Sequence, residues 1–149
     1  IGYTSNGREF YFDLEDYDKI KNYCWYEDND GYIIYKSDNE FIRMHRLIMN
    51  CPKGFEVDHI FHKTYDNRKS ELRIVTTSQN SMNQKLSKNN TSGVKGVYWD
   101  KINNRWRALI MLDKKSKHLG RFDNFDDAVQ ARKEAEEKYF GEYNYKEKI

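Results

Sequence analysis

Alternating apolar and polar residues predict short strands over the first third of the chain. Three such runs, separated by polar turns, cover residues 9–12, 23–26 and 32–35. Between the first two runs, Leu14, Tyr17 and Ile20 recur at helical spacing behind Asp13, a residue type that often caps helices. The pattern therefore predicts a small unit of short strands with a brief helix.

The next segment has the pattern of a hairpin followed by a helix. Pro52, the only proline, and Gly54 interrupt the chain after an apolar stretch at 45–49. Strands are then predicted at 56–58 and 72–76, with a polar loop between them. A helix is predicted at 78–86, with Thr77 or Ser78 as its cap.

Three strands and a helix are predicted in the last third. The strands, at 94–100, 105–112 and 116–122, are separated by short polar turns and form a meander. In the middle strand Trp106, Ala108, Ile110 and Leu112 share one face, and the other carries Arg105, Arg107, Leu109 and Met111. A helix at 125–140 follows, capped by Asn124 and ended by Gly141, with a stripe of alanines to pack on the sheet.

These elements predict an α+β protein with two domains. The first, residues 1–86, combines a small N-terminal sheet with the hairpin and helix; the second, residues 93–147, is the three-stranded antiparallel sheet packed on one helix. Residues 87–92 are polar and turn-prone, so they are predicted to be a linker.

The amino-acid composition predicts a folded apolar core and a basic surface. Aromatic residues make up 15% of the chain, enough to bury apolar area although the mean hydropathy is −1.05. Residues 95–121 hold eight Lys or Arg and only two Asp, while residues 122–149 are acidic on balance. Positive charge is therefore expected on the sheet and negative charge on the helix, so a nucleic acid would lie on the sheet.

Cysteine usage and hydropathy suggest a cytoplasmic protein. Cys24 and Cys51 lie far apart and form no CxxC motif, so we expect reduced thiols and no zinc site. We find no apolar run long enough to cross a membrane and no secretory leader, and expect a soluble protein. The chain starts at Ile1 without Met, so we expect the natural N-terminus to precede it.

A carboxylate, an imidazole and two amides recur at spacings that suit phosphodiester hydrolysis. His59 can accept a proton from water near neutral pH, and Asp58 offers a hard oxygen ligand to Mg²⁺. Asn80 adds a neutral oxygen to the same ion, and Asn67, in the loop, can orient the imidazole. The residues predict hydrolysis with a single metal ion.

This segment resembles the HNH endonucleases, especially the phage and homing enzymes, over about residues 42–84. The resemblance implies metal ligands at Asp58 and Asn80, with Asn83 as the alternative to Asn80, a general base at His59 and a loop-fixing amide at Asn67. It also implies one Mg²⁺ or Mn²⁺ per site. Two departures from the family pattern are Glu71, where similar members have Asn, and Phe61, where they have a polar residue.

Two other histidines have simpler interpretations. His45 begins the apolar stretch at 45–49 and is expected to be a hydrogen-bonded structural residue, although a role in the site stays open. His62 lies in the loop and is expected to be solvated rather than bound to phosphate.

The last third resembles the ethylene-response-factor, or APETALA-type, DNA-binding domains. The matching motifs are Gly96-Val97-Tyr98-Trp99, Arg105-Trp106-Arg107-Ala108, His118-Leu119-Gly120 and Phe140-Gly141-Glu142. The resemblance implies a sheet that enters the major groove. The expected DNA-binding residues are Tyr98, Lys101, Arg105, Arg107, Lys114, Lys115 and His118, whereas Trp99 and Trp106 are expected to be core.

Together these features predict a metal-dependent endonuclease that cuts double-stranded DNA and uses no small-molecule cofactor. A monomer would nick one strand, and breaking both strands would require a homodimer or a second encounter. A DNA-binding regulator whose nuclease site has decayed is the first alternative. A nuclease for structured RNA is the second, although an A-form major groove is too narrow for the sheet.

Overall fold

The computed structural model describes residues 1–145, which form two compact units, 1–80 and 81–145. Several small sheets and a few helices confirm the α+β class. The last two residues of the predicted second domain, 146 and 147, lie outside the described residues. The described chain has no helix that is long and apolar enough to cross a membrane.

The first unit contains seven short strands in three antiparallel sheets. The strands are β1 (Gly2–Tyr3), β2 (Glu9–Phe10), β3 (Tyr26–Glu27), β4 (Ile33–Lys36), β5 (Phe41–Arg43), β6 (Glu56–His59) and β7 (Leu72–Val75). They pair as β1-β2, β3-β4-β5 and β6-β7. Its short helices are α1 (Tyr17–Ile20) and α2 (Met44–Ile48).

The core of the first unit lies between these elements. It is formed by Phe10, Ile20, Trp25, Ile33, Met44 and Ile48. The predicted strand at 23–26 is wrong over most of its length, because Trp25 turns into the core and its indole donates to the carbonyl of Ile20 at 2.9 Å. Asp13 precedes a 3-10 turn but makes no side-chain cap, because its carboxylate accepts the backbone amide of Lys69 at 2.8 Å.

The predicted hairpin and helix are present in order, but the helix is shorter than expected. Strands β6 and β7 pair antiparallel, and α3 (Thr77–Met82) follows, ending four residues before the predicted limit. Met82, which is itself part of the second unit, packs in the apolar cluster of that unit, whereas Leu86 is exposed, so burial does not stabilise a further helical turn. The cap is Thr76, because its hydroxyl accepts the amide of Gln79 while Gln79 Oε1 accepts the amide of Thr76.

The second unit is a three-stranded meander with one helix behind it. Its elements are β8 (Val97–Asp100), β9 (Arg105–Leu112), β10 (Lys115–Phe122) and α4 (Phe125–Tyr139), with strand order β8-β9-β10. Ala108 and Ile110 of β9 are fully buried against Ala128 and Ala135 of α4, as the sequence pattern predicts. The predicted first strand starts late, since Gly96 has a positive φ of 72°.

One buried arginine also lies under the sheet. Arg132 of α4 is 3% exposed, donates to the carbonyl of Leu109 and pairs with Glu136 at 2.8 Å. A Cβ atom at residue 96 would lie 2.3 Å from the Leu109 oxygen and 2.5 Å from the Arg132 guanidinium. Glycine at position 96 is therefore what lets the backbone and the arginine meet.

The two tryptophans of the sheet differ in burial, and the predicted linker lies within the second unit. Trp106 packs on Phe125 in the core, but Trp99 is 43% exposed, so its placement in the core is wrong. Both rings lie on the helix side of the sheet, where they pack edge to face on each other, with Trp99 at the rim of the sheet. Residues 87–92 belong to the second unit, and Asn90 donates to the carbonyl of Val94 at 2.9 Å. The predicted domain limits stay a prediction.

Candidate active site and nucleic-acid interface

Strand β6 presents Asp58 and His59 on opposite faces, because successive side chains of a strand alternate. Asp58 is 7% exposed and lies opposite Arg73 of β7. Its Oδ2 accepts Nε of Arg73 at 2.9 Å and lies 2.7 Å from Nη2. The cross-strand pair satisfies this buried carboxylate and holds it in place.

Helix α3 is attached to the Asp58 face of the hairpin. Glu56, two residues before Asp58, presents its side chain on that face. One carboxylate oxygen of Glu56 accepts the amide nitrogen of Asn80, and the other accepts the hydroxyl of Thr77 at 3.0 Å. Asn80 is thereby held beside β6 with its carbonyl oxygen as the atom suited to a cation. Asn83, the alternative ligand, is 1% exposed and belongs to the second unit.

On the other face, His59 lies against Asn67. His59 is 5% exposed, and its Nε2 lies 3.4 Å from Oδ1 of Asn67. Asn67 is completely buried and donates its own amide to the carbonyl of Tyr65 at 3.3 Å. Since the Asn67 oxygen can only accept, this contact assigns the proton of a neutral His59 to Nε2 and the lone pair to Nδ1.

Burial sets the charge state of His59. Desolvation lowers the pKa of His59 below its usual value, although the hydrogen bond with Asn67 and the charge of Asp58 oppose that shift. The imidazole is therefore neutral at neutral pH, which is the state a general base requires.

Two more rings surround His59. His45, from α2, packs edge to face on His59 with centroids 5.0 Å apart and planes at 67°. The ring of Tyr32 lies 5.3 Å from His45 and 5.8 Å from His59. Burial, then His59, Arg43 and Arg46, lower the pKa of His45 to about 3. Within residues 1–145, Nδ1 of His45 is buried without a hydrogen-bond partner, so the expectation of a hydrogen-bonded structural histidine is wrong for this atom.

The loop that carries Asn67 is fixed by a second ion pair. Asp66, 3% exposed, accepts Nε of Arg68 at 2.8 Å and Nη2 at 2.5 Å, and its backbone bridges to Tyr11. Glu71, the departure from the family pattern, is also buried, and its backbone carbonyl accepts the amide of Ile60 at 2.9 Å. The loop is thus held by polar contacts at both ends.

The donor set fits a hard cation that needs few protein ligands. Among residues 1–145 no group of three or more His, Cys, Asp and Glu side chains could hold a metal. One carboxylate from Asp58 and one amide oxygen from Asn80 still suit Mg²⁺, which keeps several waters and usually takes only one or two carboxylates beside substrate phosphate. The Arg73 pair on Asp58 is the feature with which a cation would compete.

The second unit exposes a polar face on the side of the sheet away from α4. Tyr98 pairs with Arg107, and Arg107 pairs in turn with Arg121, so these side chains form a row across the strands. The guanidinium of Arg107 lies 5.7 Å from the ring of Tyr98. His118, opposite Leu109, is exposed on the same face. The structure thus brings Tyr98, Arg107 and His118 together on one face.

The remaining basic residues have different settings. Arg105 pairs with Asp123 at 2.9 Å, and Arg121, which sequence reasoning missed, pairs with Asp100 at 3.3 Å. The predicted phosphate-binding lysines Lys101, Lys114 and Lys115 are exposed at or beside the turns. Lys117 lies on the other side of the sheet, where its ammonium donates to the hydroxyl of Tyr139 at 2.6 Å.

Two known proteins are similar to this chain. Protein 3.8 of Escherichia phage T7 is 38% identical over 64 residues, which are 43% of this chain and 53% of that protein. The chain therefore spans about half the length of this phage relative. The Uncharacterized HNH endonuclease L560 of Acanthamoeba polyphaga mimivirus is 28% identical over 142 residues, covering 91% of this chain and 73% of that protein. No family model and no solved structure matches the chain.

Proposed function

We propose that this protein is a metal-dependent DNA endonuclease of the HNH type. The observation that carries the proposal is the arrangement of Asp58, His59 and Asn67 on one hairpin, with Asn80 attached to the same strand by Glu56. The name of the mimivirus relative supports the same reaction class.

A cation bound by Asp58 and Asn80, Mg²⁺ or Mn²⁺, would neutralise negative charge that builds on the phosphate during hydrolysis. Arg73 would hold the Asp58 carboxylate in position before the cation binds. Glu56 would hold Asn80 by its amide nitrogen, so that the carbonyl oxygen is available as a neutral ligand. Because only one of these two ligands is charged, the bound cation would keep a net positive charge to act on the phosphate.

The chain's own residues would move the proton. His59 accepts the proton of the attacking water at Nδ1, while Asn67 holds the opposite nitrogen and so fixes both tautomer and ring orientation. The new phosphorus–oxygen bond forms as the bond to the leaving strand breaks. One such site cuts one strand, so a monomer would nick, and a double-strand break would require a homodimer or a second encounter.

The second unit would bind double-stranded DNA through the face that carries Tyr98, Arg107 and His118. A sheet of this size fits the major groove, arginine pairs with guanine through two hydrogen bonds, and lysines in the turns contact phosphates. The similarity to APETALA-type domains remains part of this proposal, as do the predicted domain limits, the homing type and the cytoplasmic location. Arg105, Lys101, Lys114 and Lys115 extend the same surface.

The test is cleavage of supercoiled plasmid with and without Mg²⁺ by the protein and by His59→Ala. We expect metal-dependent conversion to open circles, lost in the variant, while both proteins shift DNA equally in a gel. A variant that still cuts would contradict the role of His59. Intact plasmid in every lane, with DNA still shifted, would contradict the nuclease proposal altogether.

A DNA-binding regulator without nuclease activity is the second candidate. It is favoured by the Asp58–Arg73 ion pair, which satisfies the buried carboxylate without a cation. The same plasmid experiment separates the two candidates. Binding without any Mg²⁺-dependent cutting would select the regulator.

A further inference from the structure

His45 is a buried histidine for which the proposed reaction has no use. It lies on α2, a different element from the hairpin, and only 4% of it is exposed. Its Nδ1 has no hydrogen-bond partner within residues 1–145. A phenylalanine would fill a similar volume without leaving a buried nitrogen unpaired, so stability alone does not explain an imidazole at this position.

The surroundings of His45 point to His59. The two rings meet edge to face at 5.0 Å, an arrangement in which the electropositive edge of one ring lies against the π face of the other. Tyr32 contacts both rings and limits their movement from a third side. His59 therefore has Asn67 at one nitrogen and the ring of His45 packed against it.

The contact with Asn67 is by itself a weak constraint on the imidazole, because the 3.4 Å between His59 Nε2 and Asn67 Oδ1 is long for a hydrogen bond. The edge-to-face contact with His45 adds a further constraint on the orientation of the ring. An imidazole presents a more polar edge than a phenyl ring, so it orients its neighbour more strongly.

We propose that His45 is a positioning residue for His59: its imidazole, packed edge to face on His59 and backed by Tyr32, holds the His59 ring in the orientation that joins it to Asn67. This inference rests on the proposed function for its catalytic consequence. Its structural content, the orientation and tautomer of His59, is measurable in the protein without DNA.

The decisive variant is His45→Phe, which keeps a ring of similar size and removes both nitrogens. We expect kcat for plasmid nicking to fall about tenfold with KM within about twofold, while the thermal midpoint stays equal or rises. Ile48→Val is the matched control, because Ile48 is buried on the same helix and belongs to the apolar core.

Long-range ¹H–¹⁵N NMR spectra of the imidazoles give a second measurement. In the unaltered protein the His59 signals should report a proton on Nε2, and in His45→Phe they should shift toward a mixture of the two tautomers. Unchanged His59 signals would overturn the proposal, as would a kcat that falls no more than in Ile48→Val. If the unaltered protein cuts no DNA, the proposed function fails, and the NMR spectra alone decide the role of His45.

Discussion

The hairpin of the first unit and the sheet of the second both carry polar side chains, but they hold them in opposite ways. Around the hairpin, Asp58, His59, Asn67 and His45 are each at most 7% exposed. On the sheet, Arg105 is 52% exposed and His118 lies open to solvent. Burial costs free energy and fixes orientation, which chemistry needs; exposure leaves side chains adaptable, which suits contact with a long polyanion.

The largest effect is expected from removing the charge of Asp58, the buried carboxylate of the hairpin. Asp58→Asn should lower the cutting rate about 10²–10³-fold, the range for removing one charge-stabilising group, and should abolish the heat of Mg²⁺ binding in calorimetry. Asp16→Asn is the matched control, because Asp16 is also buried, at 1% exposure, and pairs with Lys19 and Lys69. Equal losses in both variants would mean that Asp58 acts only through its ion pair.

A second prediction concerns the pH dependence of stability. The pKa of His45 is about 3 in the fold and near 6.5 in the unfolded chain, so only the unfolded state takes up this proton as the pH falls below 6.5. The free energy of unfolding should therefore drop by about 2 kcal/mol between pH 7 and pH 5, and His59 should add to the loss. Denaturant titrations at the two pH values measure it.

The variant His45→Phe supplies the control for that measurement. It lacks the titrating group, so its free energy of unfolding should depend less steeply on pH by about the same amount. An identical pH dependence in the two proteins would show that the His45 imidazole does not stay neutral in the fold.

The smallest expected effects are on the exposed sheet. Arg107→Ala and Arg121→Ala should each weaken DNA binding about tenfold and, if they contact phosphates, reduce the slope of log affinity against log salt by about one. Cutting at saturating DNA should not change. Lys133→Ala, an exposed charge on α4, is the control. If the arginine variants lost kcat and kept their affinity for DNA, the sheet would contribute to cleavage, and the proposed separation of binding from chemistry would be wrong.

The sequence predicted what depends on periodicity. Alternation along the middle strand placed Ala108 and Ile110 against the helix, and the spacing of the second half predicted all three strands and α4. The positions of His59 and Asn67 in this segment also indicated two residues that the structure brings together, whereas Asp58 lies on the opposite face of β6 and pairs with Arg73. Local sequence patterns are sufficient to predict a strand, a helix or a site when the residues that form it are close together in the chain.

Features that depend on bulges or distant contacts were not predictable. Arg121 lies on the exposed face only because the register shifts between His118 and Gly120; without that bulge, strict alternation would turn it toward the helix. The contact of His45 with His59 joins two elements across the turn that contains Pro52 and Gly54, and no helix or strand periodicity predicts it. Trp99 shares the face of buried Val97 yet lies at the rim of the sheet, a position that periodicity does not encode.

Gly96 has a consequence for how the second unit tolerates change. The residue lies in a turn, where most positions accept many substitutions, yet its φ is 72° and any side chain would strike the Leu109 carbonyl and Arg132. In a saturation mutagenesis library selected for folded protein, position 96 should be as depleted of replacements as the apolar core. Directed evolution of the sheet's surface would have to leave this glycine alone while varying Arg107 and His118 freely.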